Sequence, residues 1–143
     1  MRFIQPEELA ADVIQTAKDI QAVGKHVVLI APAPNENKGP RFIEEGFNIG
    51  ECLVRQEQQL LTFITDPECR VRQSIYEERH KQDLQFINLV EASGVLPVIR
   101  FDTYLCDGKF CKTRLDGQLL YSDFSHLSHT GSIALAKHIG LLD

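Results

Sequence analysis

The first third of the chain carries apolar residues at two different spacings, and each spacing predicts one element. After "PEE" at residues 6–8, a favourable first helical turn, apolar residues recur at helical spacing: Leu9, Val13, Ile14, Ala17 and Ile20. Gly24 supplies a stop for this helix. The run "HVVLIA" at residues 26–31 is continuously apolar, which is typical of a strand buried on both faces of a parallel sheet. A helix, a short turn and a buried strand predict half of an α/β unit.

The rest of the pattern predicts three further helices and a second buried strand, "LPVIRF", at residues 96–101. The predicted helices cover residues 51–64, 72–93 and 128–140, with inward positions at Ile75, Leu84, Ile87, Val90, Ile133, Ala136 and Ile139. Turns at Asp107-Gly108 and Asp116-Gly117 predict short hairpin-like strands before the last helix. The loop at residues 32–41 leaves the carboxyl end of the first strand, where open α/β sheets place their ligand sites.

The predicted sheet is too small to be complete. Parallel sheets are usually larger and covered on both faces, so two strands alone would leave open edges. We therefore expect that strands are missing on the N-terminal side. We also expect that the chain either self-associates through the open edge or is marginally stable and prone to aggregation.

Composition and charge narrow the class of protein. The 143 residues, 43% hydrophobic and 24% charged, fit one ordinary globular domain. The net charge of −5 gives no electrostatic reason to bind nucleic acid. No apolar stretch reaches the roughly 18–20 residues of a membrane helix, and "MRFIQPEEL" has no apolar signal-peptide core. By itself the sequence therefore predicts a cytoplasmic location.

The four cysteines suggest otherwise. In "CDGKFC" an Asp-Gly turn can bring Cys106 and Cys111 within disulfide distance, and Cys52 and Cys69 could form a second bridge. The alternative is two reduced thiols in a cytosolic hairpin. The chain contains no Cys-x-x-Cys pair, and this argues against a zinc site or a thioredoxin-like site. Because disulfides persist in oxidising compartments, a bridge would indicate that the chain is a piece of a larger exported protein.

The stretch "YSDFSHLSHTG" at residues 121–131 offers candidate chemistry. A carboxylate at Asp123 could accept a hydrogen bond from Nδ1 of His126 and leave Nε2 as a base toward a serine. Asp123 could instead be a turn residue and Ser128 a helix cap, with His126 a surface bystander. A third interpretation adds His129, because two histidines and a carboxylate suit non-haem iron.

At this point the chain resembles a known family. "LYSDFSHLSHTGSIALA" is similar to the last block of SGNH hydrolases, where Asp-x-x-His supplies two members of a Ser-His-Asp triad. "GKHVVLIAPAP" resembles the unit before the family's fourth strand, "GVLPVIRFDTYLC" its fifth strand, and "IGECLVRQ" the stretch between them. With Cys106 and Cys111, the likeness is to SGNH domains fused to membrane acyltransferases of the acyltransferase-three class.

The resemblance implies a catalytic base at His126 and its orienting acid at Asp123. Leu127 and Ser128 match the residues that follow, and Gly131 matches the small residue that opens the last helix. The nucleophile is not matched, because the family's Gly-Asp-Ser block and Gly-x-Asn-Asp block have no counterpart. The chain has six serines. Two lie in or at the end of a predicted helix, Ser74 and Ser93, and four lie close to His126, namely Ser122, Ser125, Ser128 and Ser132.

The implied fold is a truncated, flavodoxin-like, three-layer α/β/α domain with a parallel sheet and a small disulfide-bearing β-hairpin before the last helix. The implied function is O-acyl transfer, usually O-acetylation, or ester hydrolysis on lipopolysaccharide and other surface glycans. Residues 1–143 would be the C-terminal part of one such domain, without a cofactor and inactive alone. Its partners would be a glycan acceptor, an acyl donor and the missing N-terminal and membrane parts at the periplasmic face.

Two alternative functions remain. One is a non-catalytic glycan-binding or interaction module that uses the loop at residues 32–41, and the other is the metal site at Asp123, His126 and His129.

Overall fold

The computed structural model describes residues 4–37, 47–59 and 68–142. In chain order these residues form α1 (Pro6–Ala22), β1 (Leu29–Ile30), α2 (Ile49–Glu57), β2 (Val71–Arg72), α3 (Gln73–Arg79), α4 (Lys81–Ser93), β3 (Val98–Ile99), α5 (Asp102–Leu105), β4 (Phe110–Cys111), β5 (Arg114–Leu115), β6 (Gln118–Leu119) and α6 (His129–His138). The chain divides into two compact units. The first unit is Met1–Pro32 with His80–Arg100, and the second is Ala33–Arg79 with Phe101–Asp143.

The first unit contains the α/β pattern that the sequence predicts. Helix α1 begins with Pro6 at its first turn, followed by two glutamates that suit the positive end of the helix dipole. Strand β1 pairs in parallel with β3, with Leu29 opposite Val98. Helices α1 and α4 pack against each other, and the buried cluster beside them consists of Ala10, Ala17, Val90 and Leu96. The predicted parallel pairing of the two apolar runs is therefore confirmed.

The prediction that residues 26–31 are buried on both faces is wrong for this structure. Side chains alternate along a strand, and Val27 and Leu29 are the ones that pack against the core cluster. Val28 and Ile30 point the other way and remain 47% and 56% exposed. Within the described residues, the parallel sheet has no strand beyond β1 and β3, so the edge of β1 away from β3 is unpaired there.

The second unit is made of short antiparallel pairs. Strands β5 and β6 form the hairpin predicted at Asp116-Gly117. Both turn residues have positive φ, 49° and 76°, as a tight two-residue hairpin turn requires. Strand β4 pairs with β2 and places Cys111 opposite Val71. The chain that follows the predicted turn at Asp107-Gly108 therefore pairs with a strand that is distant in sequence.

Both predicted disulfides are present. Cys52 of α2 is bonded to Cys69, just before β2, and Cys106 is bonded to Cys111 across the Asp107-Gly108 turn. The interpretation of reduced thiols is therefore wrong. The Cys52–Cys69 disulfide links α2 to the residues just before β2, and the pairing of β2 with β4 joins the Cys106–Cys111 disulfide to them by hydrogen bonds.

The predicted helix at residues 72–93 is broken in two. His80 separates α3 from α4 with a backbone conformation outside the helical region, φ −106° and ψ 23°. Arg72 is not helical, because it belongs to β2 and pairs with Phe110. The apolar spacing continues across the break, so spacing alone could not locate it. Ile87 and Val90 are buried as predicted, and Ile75 and Leu84 are half-buried.

The inward positions predicted for the last helix need correction. Helix α6 buries Gly131 and Leu135, whereas Ile133 of the predicted stripe is 36% exposed and Ala136 and Ile139 are half-buried. The reason is the close packing of Gly131 on the backbone of Leu119 and Leu120, which fixes the inner face of the helix.

The predicted helix at residues 51–64 begins two residues earlier, at Ile49, and its last part lies outside the described residues. Phe101 caps the short α5 instead of ending the second strand. None of the helices in the described ranges is long and apolar enough to cross a membrane.

Candidate active site

The segment that carries Asp123 and His126 is a closed loop in the second unit. Tyr121 and Leu127 form an antiparallel bridge across its base. Inside the bridge the Ser122 N–H donates to the His126 carbonyl at 2.9 Å. At its exit the Ser128 hydroxyl accepts a hydrogen bond from the Gly131 N–H and so caps α6. The loop is therefore held at both ends, and the predicted helix cap at Ser128 is confirmed.

Asp123 bonds to both the backbone and the imidazole. Its Oδ1 accepts from the N–H groups of Ser125 at 2.9 Å and His126 at 2.8 Å. Its Oδ2 lies 2.8 Å from Nδ1 of His126. The turn and the acid–base pair, two alternative interpretations of the sequence, therefore coexist because each uses a different carboxylate oxygen.

The environment favours an ionised Asp123. Burial raises the pKa of its carboxyl, but hydrogen bonds from the backbone of His126 and Ser125 and from the His126 ring lower it, and the net effect is a pKa below the ordinary value. An ionised carboxylate at Nδ1 keeps the proton on that nitrogen. Since the His126 side chain is 79% exposed, Nε2 remains accessible for proton transfer.

Tyr121, at the base of the loop, fixes it by a buried hydrogen bond. Its hydroxyl donates to the backbone carbonyl of Pro34 at 2.5 Å, and the residue is 2% exposed. Burial raises the pKa of this phenol, so it stays a neutral donor. The bond joins the base of the His126 loop to the segment that follows β1. The sequence prediction omitted Tyr121, although a tyrosine two residues before a candidate acid was a visible signal.

The segment at residues 33–37 is itself fixed by buried polar contacts. Glu36, with a side chain 1% exposed, accepts from Nε of Arg72 at 3.0 Å, from its Nη2 at 2.6 Å and from its backbone N–H at 2.8 Å. Arg79 donates to the Glu36 carbonyl. Asn35 is buried too, and its amide donates to the Ala33 carbonyl at 3.0 Å. Residues 38–41 of this predicted binding loop lie outside the described residues.

The start of α2 lies directly against Asp123. The N–H of Gly50 donates to the Asp123 carbonyl at 3.1 Å. Periodicity could not find this contact, because glycine has no side chain and contributes nothing to an apolar pattern.

None of the six serines, all of which are among the described residues, has a recorded hydrogen bond to the imidazole. Their hydroxyls bond to backbone groups where they bond at all: Ser93 to Val90, Ser122 to His126, Ser128 to Leu119 and Ser132 to His129. The metal interpretation fails on geometry. Among the described residues, no group of three or more His, Cys, Asp or Glu side chains could hold a metal ion, and Asp123, His126 and His129 form no such group.

An acid-oriented histidine on a loop before the last helix, with two disulfides nearby, agrees with one family. The family model described as "SGNH domain (fused to AT3 domains)" matches residues 2–140. The chain belongs to this SGNH family. No curated protein and no solved structure gives a match. Membership suggests an esterase-like or acyltransferase-like domain, and the family name points to a membrane-associated parent protein with an AT3 part.

Proposed function

We propose that this chain carries the general acid–base half of an SGNH O-acyltransferase or esterase that acts on cell-surface glycan. The observation that supports this function best is the 2.8 Å contact between Asp123 Oδ2 and His126 Nδ1, on a loop anchored at both ends. In this proposal His126 is the catalytic residue and Asp123 is the residue that orients it. The serine nucleophile and the oxyanion donors come from a segment outside these 143 residues.

Each proton in the proposed reaction passes through Nε2 of His126. In the first step Nε2 takes the serine hydroxyl proton as the serine oxygen bonds to the acyl carbon, and the imidazolium then protonates the departing group. In the second step Nε2 takes the proton of a glycan hydroxyl or of water, which attacks the acyl-serine. The serine leaves with that proton. Asp123 stays ionised throughout and stabilises the imidazolium.

In the same proposal residues 1–143 are the C-terminal part of a three-layer α/β/α domain. The parallel pair β1–β3 would continue, on the open side of β1, into strands of the missing part. Two disulfides are consistent with an oxidising compartment, so we place the domain at the periplasmic face of the membrane. The acyl donor would arrive from the AT3 part of the parent protein.

Complementation tests this function. A fragment with the first three strands and the Gly-Asp-Ser block of a related SGNH domain is mixed with the chain, and acetyl-ester hydrolysis is followed. We expect turnover only in the mixture, with a loss of roughly 10³-fold or more in His126→Ala. The matched control is His138→Ala, which removes an imidazole from the exposed end of α6.

Activity of the chain alone would contradict the proposal if it were abolished by His126→Ala and left an acyl group on one of the six serines. The glycan-binding alternative predicts instead that affinity for glycan survives His126→Ala. The inward contacts of Asn35 and Glu36 leave this alternative without support from the described part of the loop.

A further inference from the structure

Gly50 occupies the second position of α2, where a backbone N–H has no acceptor within its own helix. Asn48, the cap residue, accepts from the Glu51 N–H at 2.9 Å and therefore leaves the Gly50 N–H to another partner. That partner is the carbonyl oxygen of Asp123 at 3.1 Å. The start of the helix and the candidate acid therefore share a backbone hydrogen bond.

The approach is close enough to exclude any side chain. A Cβ built on Gly50 would lie 2.3 Å from the carbonyl carbon and oxygen of Ser122, and 2.6 Å from the backbone nitrogen of Asp123. These are backbone atoms, which cannot rotate away as the end of a flexible side chain can. By contrast, the glycines with positive φ in the described ranges have nothing within 4 Å of such a Cβ. Close approach, and not backbone conformation, is thus what requires glycine at position 50.

Helix α2 has no freedom to retreat from this contact. Ile49 and Leu53 on its inner face are fully buried, and Cys52 is bonded to Cys69. A larger residue at position 50 would therefore displace the Ser122–Asp123 peptide instead of the helix. Because both carboxylate oxygens of Asp123 are engaged, such a displacement would act directly on its contact with His126.

We propose that Gly50 is a positioning residue for the His126–Asp123 pair. Its N–H and its lack of a side chain fix the Asp123 backbone where the carboxylate reaches Nδ1. The proposal rests on the proposed function, in which this pair moves protons. Errors of about 1 Å in such a pair can cost on the order of 10² in rate, so a support of this kind has a functional consequence.

The test is the tautomer of neutral His126 in Gly50→Ala, read from the ¹⁵N shifts of the labelled imidazole at alkaline pH. In the wild-type chain we expect the proton on Nδ1, held there by Asp123. In Gly50→Ala we expect the Nε2–H form to dominate. Glu51→Ala, which changes the next residue and only an exposed pair with Arg55, should keep the wild-type tautomer. Val90→Ala, which weakens the core of the first unit, should also keep it.

A folded Gly50→Ala chain with the wild-type tautomer would overturn the proposal. Hydrogen exchange of the Gly50 amide in the wild-type chain keeps the proposal testable if the variant does not fold. The acceptor of this amide is the Asp123 carbonyl, so we expect slow exchange, and exchange at the rate of an unstructured peptide would also overturn the proposal. Neither readout needs acyl transfer. Failed complementation would therefore count against the proposed function alone, and a failed tautomer test against the role of Gly50 alone.

Discussion

The two units of this chain are stabilised in different ways. In the first unit, two regular helices pack beside a parallel strand pair, and small and medium apolar residues fill the core. In the second unit, large apolar side chains such as those of Ile49, Leu53 and Leu120 are also fully buried. Directed contacts are added to this core: two disulfides, the ion pair of buried Glu36 with Arg72 and the Tyr121–Pro34 hydrogen bond. The candidate active site lies in the second unit.

This difference shows what each kind of construction is suited to. Apolar packing is non-directional, so it stabilises a unit without fixing a particular side chain to within a few tenths of an ångström. Disulfides and directed hydrogen bonds to the backbone do fix such positions, because their lengths and angles are narrow. A loop that must hold a carboxylate against an imidazole therefore needs such cross-links in addition to an apolar core.

The largest expected effect is the loss of the Cys52–Cys69 disulfide. Replacing both residues with alanine opens a loop with a sequence separation of 17, which should lower the free energy of unfolding by about 3 kcal/mol on the loop-entropy estimate. Urea denaturation followed by hydrogen exchange should show that amides of the second unit lose protection while those of α1 and α4 keep it.

The matched control is the double alanine variant of Cys106 and Cys111. Its loop, with a separation of 5, should cost about 2 kcal/mol. Equal loss of protection in both units after removal of Cys52–Cys69 would mean that the units are not distinct in stability, and the comparison would fail.

The same contrast explains which features the sequence could predict. Helix α1, the parallel pairing of the two apolar runs and the hairpin at Asp116-Gly117 follow from local spacing and turn residues, so they are predictable without knowledge of the fold. The Cys106–Cys111 disulfide follows from the Asp-Gly turn, whereas Cys52–Cys69 was only a possible second bridge. The spacing of Asp123 and His126 also fitted a turn and a helix cap, and it was the resemblance that assigned them as an acid–base pair.

Contacts between distant residues were not predictable. Glu36 meets Arg72 and Tyr121 meets Pro34 across 36 and 87 residues, and no periodicity records such pairs. The later start of the predicted helix has the same origin, since Arg72 pairs with Phe110 in β2 instead of opening the helix. The prediction that residues 26–31 are buried on both faces was wrong. An apolar run indicates only that its residues favour burial, and the described residues cover one face of this strand.

A smaller effect is expected at the unpaired edge of β1 in the first unit. The N–H groups of Leu29 and Ala31 donate to carbonyls of the segment that contains β3. Ile30, which lies between them, therefore directs its backbone groups to the opposite edge. We expect the chain to self-associate there and Ile30→Lys to weaken association about tenfold, since losing one half-exposed apolar side chain is worth about 1.5 kcal/mol. Val23→Lys, at a residue 73% exposed after α1, is the control.

Sedimentation over a range of concentrations measures this association. A wild-type chain that stays monomeric at every concentration would refute the prediction. Equal weakening by Val23→Lys would also refute it, because the apolar surface in general would then be responsible and not the strand.

The smallest expected effect comes from Asp123 itself. Since its folded pKa lies below the ordinary value of 3.8, the ionised carboxylate stabilises the fold above that value, and this contribution is lost as the pH falls through the folded pKa. Wild-type minus Asp123→Asn stability, measured by urea denaturation, should therefore be constant near pH 7 and disappear in acid. Because the side chain is 45% exposed, we expect a difference below about 1 kcal/mol.

Asp107 provides the comparison that isolates the histidine. Its carboxylate accepts from the N–H groups of Phe110 and Lys109, which lower its pKa, in a turn that contains no imidazole. Asp107→Asn should show the same loss of its contribution in acid. In a His126→Ala background the effect of Asp123→Asn should shrink, because one hydrogen-bond partner of this carboxylate is gone, whereas the effect of Asp107→Asn should not change. Equal effects of Asp123→Asn in the two backgrounds would mean that Asp123 acts as a turn residue alone, and the acid–base pair would lose its basis.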